Sequence, residues 1–112
     1  AYLAPILSRY VEAVDSYFRS LGAKNPVRYF QSNGGLALGS VVSDQSVYAI
    51  NSGPASAPQA ALYIGEPWDL KNIITVDMGG TSFDITLTRD GRANVSKNID
   101  FLRYRIGIPM IQ

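Results

Sequence analysis

The chain has 112 residues, 10 basic and 9 acidic side chains, a formal net charge of +1, and neither cysteine nor histidine. This length suits one domain or part of one, and the balanced charge excludes an electrostatic surface for nucleic acid or membrane. Disulfides, thiol catalysis and histidine-ligated zinc are excluded too, and with no long apolar segment or signal pattern we expect a cytoplasmic protein.

The first predicted element is an amphipathic helix. Pro5 stands in its first turn and Gly22 ends it. The apolar stripe follows helical spacing and consists of Leu3, Ile6, Leu7, Tyr10, Val11, Val14, Phe18 and Leu21. We expect this stripe to pack on a sheet.

A short strand from Val27 to Gln31 is predicted next, followed by the loop Ser32-Asn33-Gly34-Gly35. In open α/β sheets, ligands bind at strand ends, so this loop is a candidate binding site. The alternative, which the residues alone favour, is a glycine-rich turn with Asn33 in the left-handed region. Both hypotheses remain open from the residues alone.

The middle of the chain predicts two helices, a short one between Ser43 and Ala49 and a longer one from about Pro54 to Ile64. Pro54 suits the first helical position, with Ser52 or Gly53 as the cap. We interpret these two as structural, although a helix N-terminus also presents free amides to an anion. Alanines along the longer helix permit close packing against a sheet, and a packing role is predicted for Trp68.

The segment from Ile73 to Thr88 predicts strand, tight turn, strand. The turn leaves the amides of four residues open to an anion such as phosphate, and glycine permits positive φ and close approach; these residues are Gly79, Gly80, Thr81 and Ser82. Asp77 and Asp84 would repel a bare polyphosphate, which predicts Mg²⁺ between them and the phosphate oxygens. The alternative is an ordinary hairpin turn, but such a turn does not need an acid on both sides of its glycines.

Beyond the hairpin, Arg89-Asp90-Gly91 predicts a turn. A third antiparallel strand is predicted over 93–95 and a fourth from Ile99 to Ile106. Alternation would then place Arg103 and Arg105 on one strand face, which we interpret as solvated.

Three motifs resemble segments of the hydantoinase A and oxoprolinase family, in the same order. They are Gln31-Ser32-Asn33-Gly34-Gly35-Leu36, Asn51-Ser52-Gly53-Pro54-Ala55 and Val76-Asp77-Met78-Gly79-Gly80-Thr81-Ser82-Phe83-Asp84-Ile85. The resemblance covers nearly the whole chain. It departs from the family pattern at Phe83, where threonine is common, and at Ser56 and Ala57, where glycines are common.

The resemblance implies an α/β fold, specifically a ribonuclease H-like lobe of an ATPase core of the actin and sugar kinase type. Residues 1–112 would be a single partial domain, an incomplete fragment that carries the second of two Asp-x-Gly-Gly-Thr hairpins. Because ATP lies between two lobes in this family, we expect the fragment alone to be inactive.

The implied cofactors are ATP and Mg²⁺. Asp77 is assigned as the catalytic residue and a magnesium ligand, and Asp84 as a second metal ligand or a residue that orients the hairpin. The assigned cofactor-binding residues are Gly79, Gly80, Thr81, Ser82, Asn33 and Gly34.

The implied function is ATP-dependent hydrolysis of a cyclic amide of hydantoin, oxoproline or lactam type, through phosphorylation of the carbonyl oxygen. Expected partners are a small-molecule substrate, the rest of the parent chain and a hydantoinase B-like subunit, without nucleic acid or membrane. The alternatives are a ketone carboxylase of the same family, a sugar kinase, and a nucleotide-switched protein related to actin or chaperones. A sugar kinase hairpin commonly continues with lysine where Ser82 stands here.

Overall fold

The computed structural model describes residues 2–101 and 103–111 and shows a mixed α/β fold. Its helices are α1 (Ala4–Ser20), α2 (Gly39–Asp44) and α3 (Ser52–Gly65), with 3₁₀ turns at Ser46–Ala49 and Glu66–Trp68. The strands are β1 (Arg28–Phe30), β2 (Leu36–Leu38), β3 (Ile73–Met78), β4 (Phe83–Arg89), β5 (Arg92–Ala93), β6 (Val95–Ser96), β7 (Ile99–Phe101), β8 (Tyr104–Ile106) and β9 (Met110–Ile111). None of the described helices is long and apolar enough to cross a membrane.

Helix α1 confirms the predicted helix, since Pro5 lies in its first turn and Gly22 follows its end at φ +85°. Its packing differs from the expectation. Only Val11 in the stripe is fully buried, and α1 packs against α2 through the close approach of Gly39 to Val11. Five other stripe residues are exposed, so the helix does not bury its whole apolar face on a sheet; they are Leu3, Ile6, Tyr10, Phe18 and Leu21.

A side-chain hydrogen bond ties α1 to β1. The Tyr29 hydroxyl donates to Asp15 Oδ1 at 2.7 Å and lies 3.3 Å from the Val11 carbonyl oxygen. Partial burial of Tyr29 and its bond to the Asp15 carboxylate both raise the pKa of the phenol. The phenol therefore stays protonated and holds the first helix to the first strand.

Strands β1 and β2 form an antiparallel hairpin with Phe30 opposite Leu36, closed by the loop 31–35. Asn33 does not take the left-handed conformation; Gly34 does, at φ +85°. The Ser32 amide donates to the Tyr48 carbonyl at 2.7 Å, and the Ile111 amide donates to the Ser32 carbonyl at 2.8 Å. The loop is therefore anchored on the 3₁₀ turn and on β9.

Helix α3 begins at Ser52, two residues earlier than predicted, after Asn51 in the left-handed conformation at φ 59°. Asn51 is therefore the N-cap residue, without a side-chain capping bond, and the prediction of Ser52 or Gly53 as the cap is wrong because both lie inside the helix. The helix packs on β3 and β4 and buries Ala55. Trp68 is 69% exposed and is not a packing anchor within the described residues.

Strands β3 and β4 confirm the predicted hairpin, with Ile73 opposite Thr88 at its base. The Ile73 amide donates to Thr88 Oγ1 at 3.0 Å, and that hydroxyl lies 3.2 Å from the Ile73 carbonyl oxygen. The Asp90 amide donates to Asn72 Oδ1 and the Gly91 amide to the Lys71 carbonyl, each at 3.0 Å. The first two bonds join the strands at the base of the hairpin, and the last two fix that base to the chain that precedes β3.

The C-terminal part differs from the predicted third and fourth strands. Asn94 separates β5, which pairs with β4, from β6, which pairs with β9. Instead of one strand from Ile99 to Ile106, β7 and β8 form a hairpin, and residue 102 lies outside the described residues. Arg103 stands in its turn and Arg105 in β8, so the two do not share one strand face. Arg105 instead forms an ion pair with Asp100.

The described strands form four small sheets, each built from antiparallel pairs. The predicted α/β class is confirmed. The ribonuclease H-like arrangement stays a prediction, because these sheets are short and the three-stranded one contains β3, β4 and β5 alone.

Candidate functional site

The tip of the β3–β4 hairpin brings the predicted acidic residues together. Asp77 and Asp84 are directly opposite each other in the antiparallel register. Beyond them, the Gly79 amide donates to the Ser82 carbonyl at 3.0 Å, which leaves Gly80 and Thr81 as the two outermost residues. Two carboxylates, two glycines and two hydroxyls thus occupy one end of the hairpin, as the sequence predicted.

Both carboxylates lie on the same face of the hairpin. Side chains alternate along a strand, so Asp77 and Asp84 share the face of Thr75 and Thr86, which is the face toward α3. Like charges directly opposite in a sheet are destabilising. The Ser82 hydroxyl donates to Asp84 Oδ2 at 3.0 Å and so contributes one favourable contact. A cation between the two carboxylates would remove the remaining repulsion.

Gly79 and Gly80 contribute no side chain to the tip of the hairpin. Among the described residues, left-handed glycines are Gly22, Gly34 and Gly91, so the expected positive φ at Gly79 and Gly80 is wrong. A Cβ added at Gly80 would meet no atom within 4 Å, and one at Gly79 would lie 3.8 Å from the Ser82 carbonyl oxygen. The tip is thus unobstructed, and an anion can approach the backbone closely.

The donor set fits a magnesium ion that is bound jointly with phosphate. Within residues 2–101 and 103–111, no group of three or more acidic, histidine or cysteine side chains is arranged to hold a metal alone. Two carboxylates are what Mg²⁺ commonly takes from a protein when waters and substrate phosphates complete its octahedron. Asp77 is exposed and Asp84 half-buried, so both remain accessible from the tip.

Asn33 and Gly34 in the loop 31–35 make contacts with other residues of the fold. Asn33 Oδ1 accepts a hydrogen bond from the Gly35 amide at 2.8 Å. A Cβ at Gly34 would lie 2.6 Å from Ile111 Cδ1 and 3.3 Å from Gln59 Nε2. These contacts explain why the loop needs an asparagine and a glycine, and the predicted cofactor-binding role of Asn33 and Gly34 stays a prediction.

No role was predicted for Ser32 from the sequence. Ser32 is completely buried, and its Oγ has no hydrogen-bond partner among the described residues. Its main chain links the loop to Tyr48 and Ile111. No local pattern could have indicated this role, because both partners are distant in sequence. Asn51, by contrast, could have been found from the tolerance of asparagine for the left-handed region.

Comparison with known proteins gives one family and several relatives. The model of the hydantoinase/oxoprolinase family matches residues 1–112. Caprolactamase subunit alpha of Pseudomonas jessenii is 64% identical over 112 residues, which are 100% of this chain and 16% of that protein. The 5-oxoprolinase of Saccharomyces cerevisiae is 34% identical over 95 residues, or 82% of this chain and 7% of that protein.

The acetone carboxylase beta subunit of Xanthobacter autotrophicus is 29% identical over 110 residues, or 98% of this chain and 15% of that subunit. A solved nucleotide-free structure of acetone carboxylase, from work on ATP-dependent acetone carboxylation, superimposes with a TM-score of 0.80 at 28% identity. That match covers 91% of this chain and 14% of the solved chain. The present chain thus spans 16% or less of the length of each of these relatives.

Proposed function

This chain belongs to the hydantoinase/oxoprolinase family, and on that premise we propose that it forms part of an ATP-dependent enzyme that hydrolyses a cyclic amide. The observation that carries the proposal is the register of the hairpin, which sets Asp77 against Asp84 beside an unobstructed glycine tip. The 64% identity with a caprolactamase subunit favours a lactam as the substrate class.

An amide is stabilised by resonance, and the proposed reaction overcomes this by phosphorylating the carbonyl oxygen. Transfer of the γ-phosphoryl group of ATP to the carbonyl oxygen would turn that oxygen into a good leaving group. Water would then attack the activated carbon, and the C–N bond would break as the ring nitrogen takes a proton, which opens the ring and leaves an acyl phosphate. A second water would hydrolyse this acyl phosphate to the carboxylate and free phosphate. Proteins contribute to phosphoryl transfer mainly by positioning groups and by stabilising charge, and backbone amides with a metal can supply both.

Each residue of the tip has a proposed role. The amides of Gly80 and Thr81 would donate to phosphate oxygens, because the Cβ position of Gly80 is open among the described residues. The Gly79 amide is engaged by the Ser82 carbonyl, so Gly79 would contribute by leaving room for the phosphate. Asp77 and Asp84 would hold Mg²⁺, directly or through its waters. When bound, the metal would neutralise charge on the phosphates. The Ser82 hydroxyl would keep the Asp84 carboxylate oriented through their 3.0 Å hydrogen bond.

The proposal includes an architecture larger than these 112 residues. We propose a ribonuclease H-like lobe that forms one wall of an ATP site, with a second lobe opposite. Two of the relatives are named as subunits, caprolactamase subunit alpha and the acetone carboxylase beta subunit. We therefore also propose a separate subunit, of hydantoinase B type, in the active enzyme; a cytoplasmic location stays a prediction.

Ketone carboxylation is the second candidate. The structural match to acetone carboxylase, with a TM-score of 0.80, favours it specifically. In that case the phosphoryl acceptor would be an enolate or a bicarbonate oxygen. The same hairpin would serve both reactions, because its residues would contact the nucleotide and not the acceptor.

The test uses the full-length protein with its partner subunit, ATP and Mg²⁺. Release of phosphate and ring-opened product is measured with caprolactam, 5-oxoproline and hydantoin, and in parallel with acetone plus bicarbonate. We expect ATP hydrolysis to be stimulated by at least one cyclic amide, with stoichiometric ring opening. Stimulation by acetone and bicarbonate alone would transfer the assignment to carboxylation. Slow ATP turnover that no acceptor changes would support a nucleotide-switched protein instead.

A further inference from the structure

One face of the β3–β4 hairpin carries a continuous, exposed apolar surface. Six side chains form three directly opposed cross-strand pairs on it, and each is more than half exposed: Ile74 with Leu87, Val76 with Ile85, and Met78 with Phe83. Both aspartates of the hairpin lie on the other face. Alternation places Arg89, the last residue of β4, on this side, at the base of the hairpin and beyond the three apolar pairs.

The covered face is the more polar one. Helix α3 packs on β3 and β4, where Thr86 and Thr88 are buried and Thr75 is half-buried. In a sheet with one solvated face, the apolar side chains should lie on the covered face and the polar ones toward water. The hairpin shows the reverse arrangement. A contiguous apolar face of this kind is typical of a contact surface.

The edge of β3 leads to the same conclusion. Within the described residues, β3 pairs with β4 alone. Hydrogen-bonded pairs alternate along an antiparallel ladder, and the Gly79 to Ser82 bond sets the phase, so the amides of Asp77 and Thr75 face β4. The amides of Ile74, Val76 and Met78 therefore face the unpaired edge. This six-residue edge carries no lysine, proline or bulge, the devices that normally protect an exposed edge.

We propose that this apolar face and the β3 edge are an internal interface, covered by further polypeptide of the same protein that adds a strand to β3 and packs an apolar surface on the face. Interfaces that form and dissociate are about as polar as the rest of a protein surface, whereas all three cross-strand pairs of this face are apolar, as in a domain core. The caprolactamase subunit that matches all 112 residues has most of its length outside the match, so the relatives carry ample chain for this role.

The experiment measures thiol accessibility in the full-length chain, purified without its partner subunit. Val76→Cys places a small thiol in the middle of the face, and Lys24→Cys places one in the exposed turn after α1 as the matched control. Peptide-resolved alkylation identifies each thiol, since residues 1–112 contain no cysteine. We expect Val76→Cys to react roughly a hundredfold more slowly than Lys24→Cys in the folded chain, because core strands open rarely. In denaturant the two rates should be equal.

Three outcomes would overturn the proposal. Similar rates in the folded chain would mean that the face is open to solvent. Protection that appears only after the partner subunit is added would assign the face to that subunit. Protection that increases with protein concentration would assign it to a second copy. If Val76→Cys does not fold, hydrogen exchange of the unmodified protein decides, because fast exchange of the Ile74 and Val76 amides would exclude an added strand.

Discussion

Two Gly-Gly pairs in this chain have opposite surroundings. In the β1–β2 loop, Gly34 is left-handed, and a Cβ there would lie 2.6 Å from the Ile111 side chain. At the tip of the β3–β4 hairpin, Gly80 is not left-handed, and its Cβ position is open for 4 Å. The first pair thus permits close packing inside the fold, and the second keeps space free outside it. A glycine pair alone does not distinguish a structural turn from a binding turn; its surroundings do.

The strongest test of the binding turn is Asp77→Asn, which keeps the size of the side chain and removes its charge. In the full-length enzyme with ATP, Mg²⁺ and a cyclic amide, we expect turnover to fall by roughly a hundred- to a thousand-fold, the usual effect of one preorganised electrostatic contact. Unfolding temperature should change little, since Asp77 is exposed. Asp44→Asn, at the end of α2, is the matched control. Full activity in Asp77→Asn would make the tip a structural turn.

Gly80→Val tests the open space directly. We expect a loss of turnover of about a hundredfold, because a branched side chain would block the approach of an anion to the backbone. The fold should survive, since a Cβ at this position meets no described atom within 4 Å. The paired measurements are ATPase rate and melting temperature. A variant that unfolds while retaining specific activity would show that Gly80 serves the fold.

Gly34→Val should give the opposite pattern, a loss of stability. A left-handed conformation costs a side-chain-bearing residue about 1–2 kcal/mol, and overpacking against Ile111 adds about 1–3 kcal/mol. Gly22→Val separates the two causes, because Gly22 has the same φ of +85° and no atom within 4 Å of its Cβ. The free energy of unfolding should fall more for Gly34→Val. Equal losses would show that the contact with Ile111 is unimportant.

Tyr29→Phe tests the hydrogen bond that joins β1 to α1. Loss of the hydroxyl bond to Asp15 should cost about 0.5–1.5 kcal/mol of unfolding free energy. Folding raises the pKa of Tyr29, so its contribution is complete below the unfolded value of about 10 and is lost as pH rises above it. Denaturation measured across this alkaline range should show a decline specific to Tyr29 that is absent in the phenylalanine variant. The same decline in both proteins would assign it to other groups.

The smallest effect is expected from Arg105→Ala. Arg105 and Asp100 form an exposed ion pair at 3.0 Å, with side-chain exposures of 72% and 64%. Such pairs contribute about 0–1 kcal/mol, and the hairpin tip lies in another element. Turnover and melting temperature should both stay near the parent values. A large loss of turnover would mean that the β7–β8 hairpin belongs to the active site.

Local signals predicted the fold well where they were strong. The period of α1 and the Asp-x-Gly-Gly turn between two β-prone runs located a helix and a hairpin correctly, because their causes lie in neighbouring residues. Trp68 was predicted wrongly, because burial depends on distant chain. The single strand over 99–106 failed because local alternation does not reveal a turn at Arg103.

In the site, too, only features that depend on neighbouring residues could be predicted. The opposition of Asp77 and Asp84 follows from turn length and strand alternation, so the sequence predicted it. The conformations of the glycines did not follow from it, since Gly79 and Gly80 were expected to be left-handed and Gly34 was not. The contacts of Ser32 with Tyr48 and Ile111 required the tertiary structure.

The two ends of the β3–β4 hairpin are held differently. Thr88 and Asn72 hold one end, whereas at the tip the Gly79 amide bonds back only within the turn, to Ser82. The residues of the turn therefore have fewer bonds to the rest of the fold than the base of the hairpin has. If a phosphate binds at the turn as proposed, it would have to restrict the conformations of these residues, and the lost conformational entropy would lower its affinity.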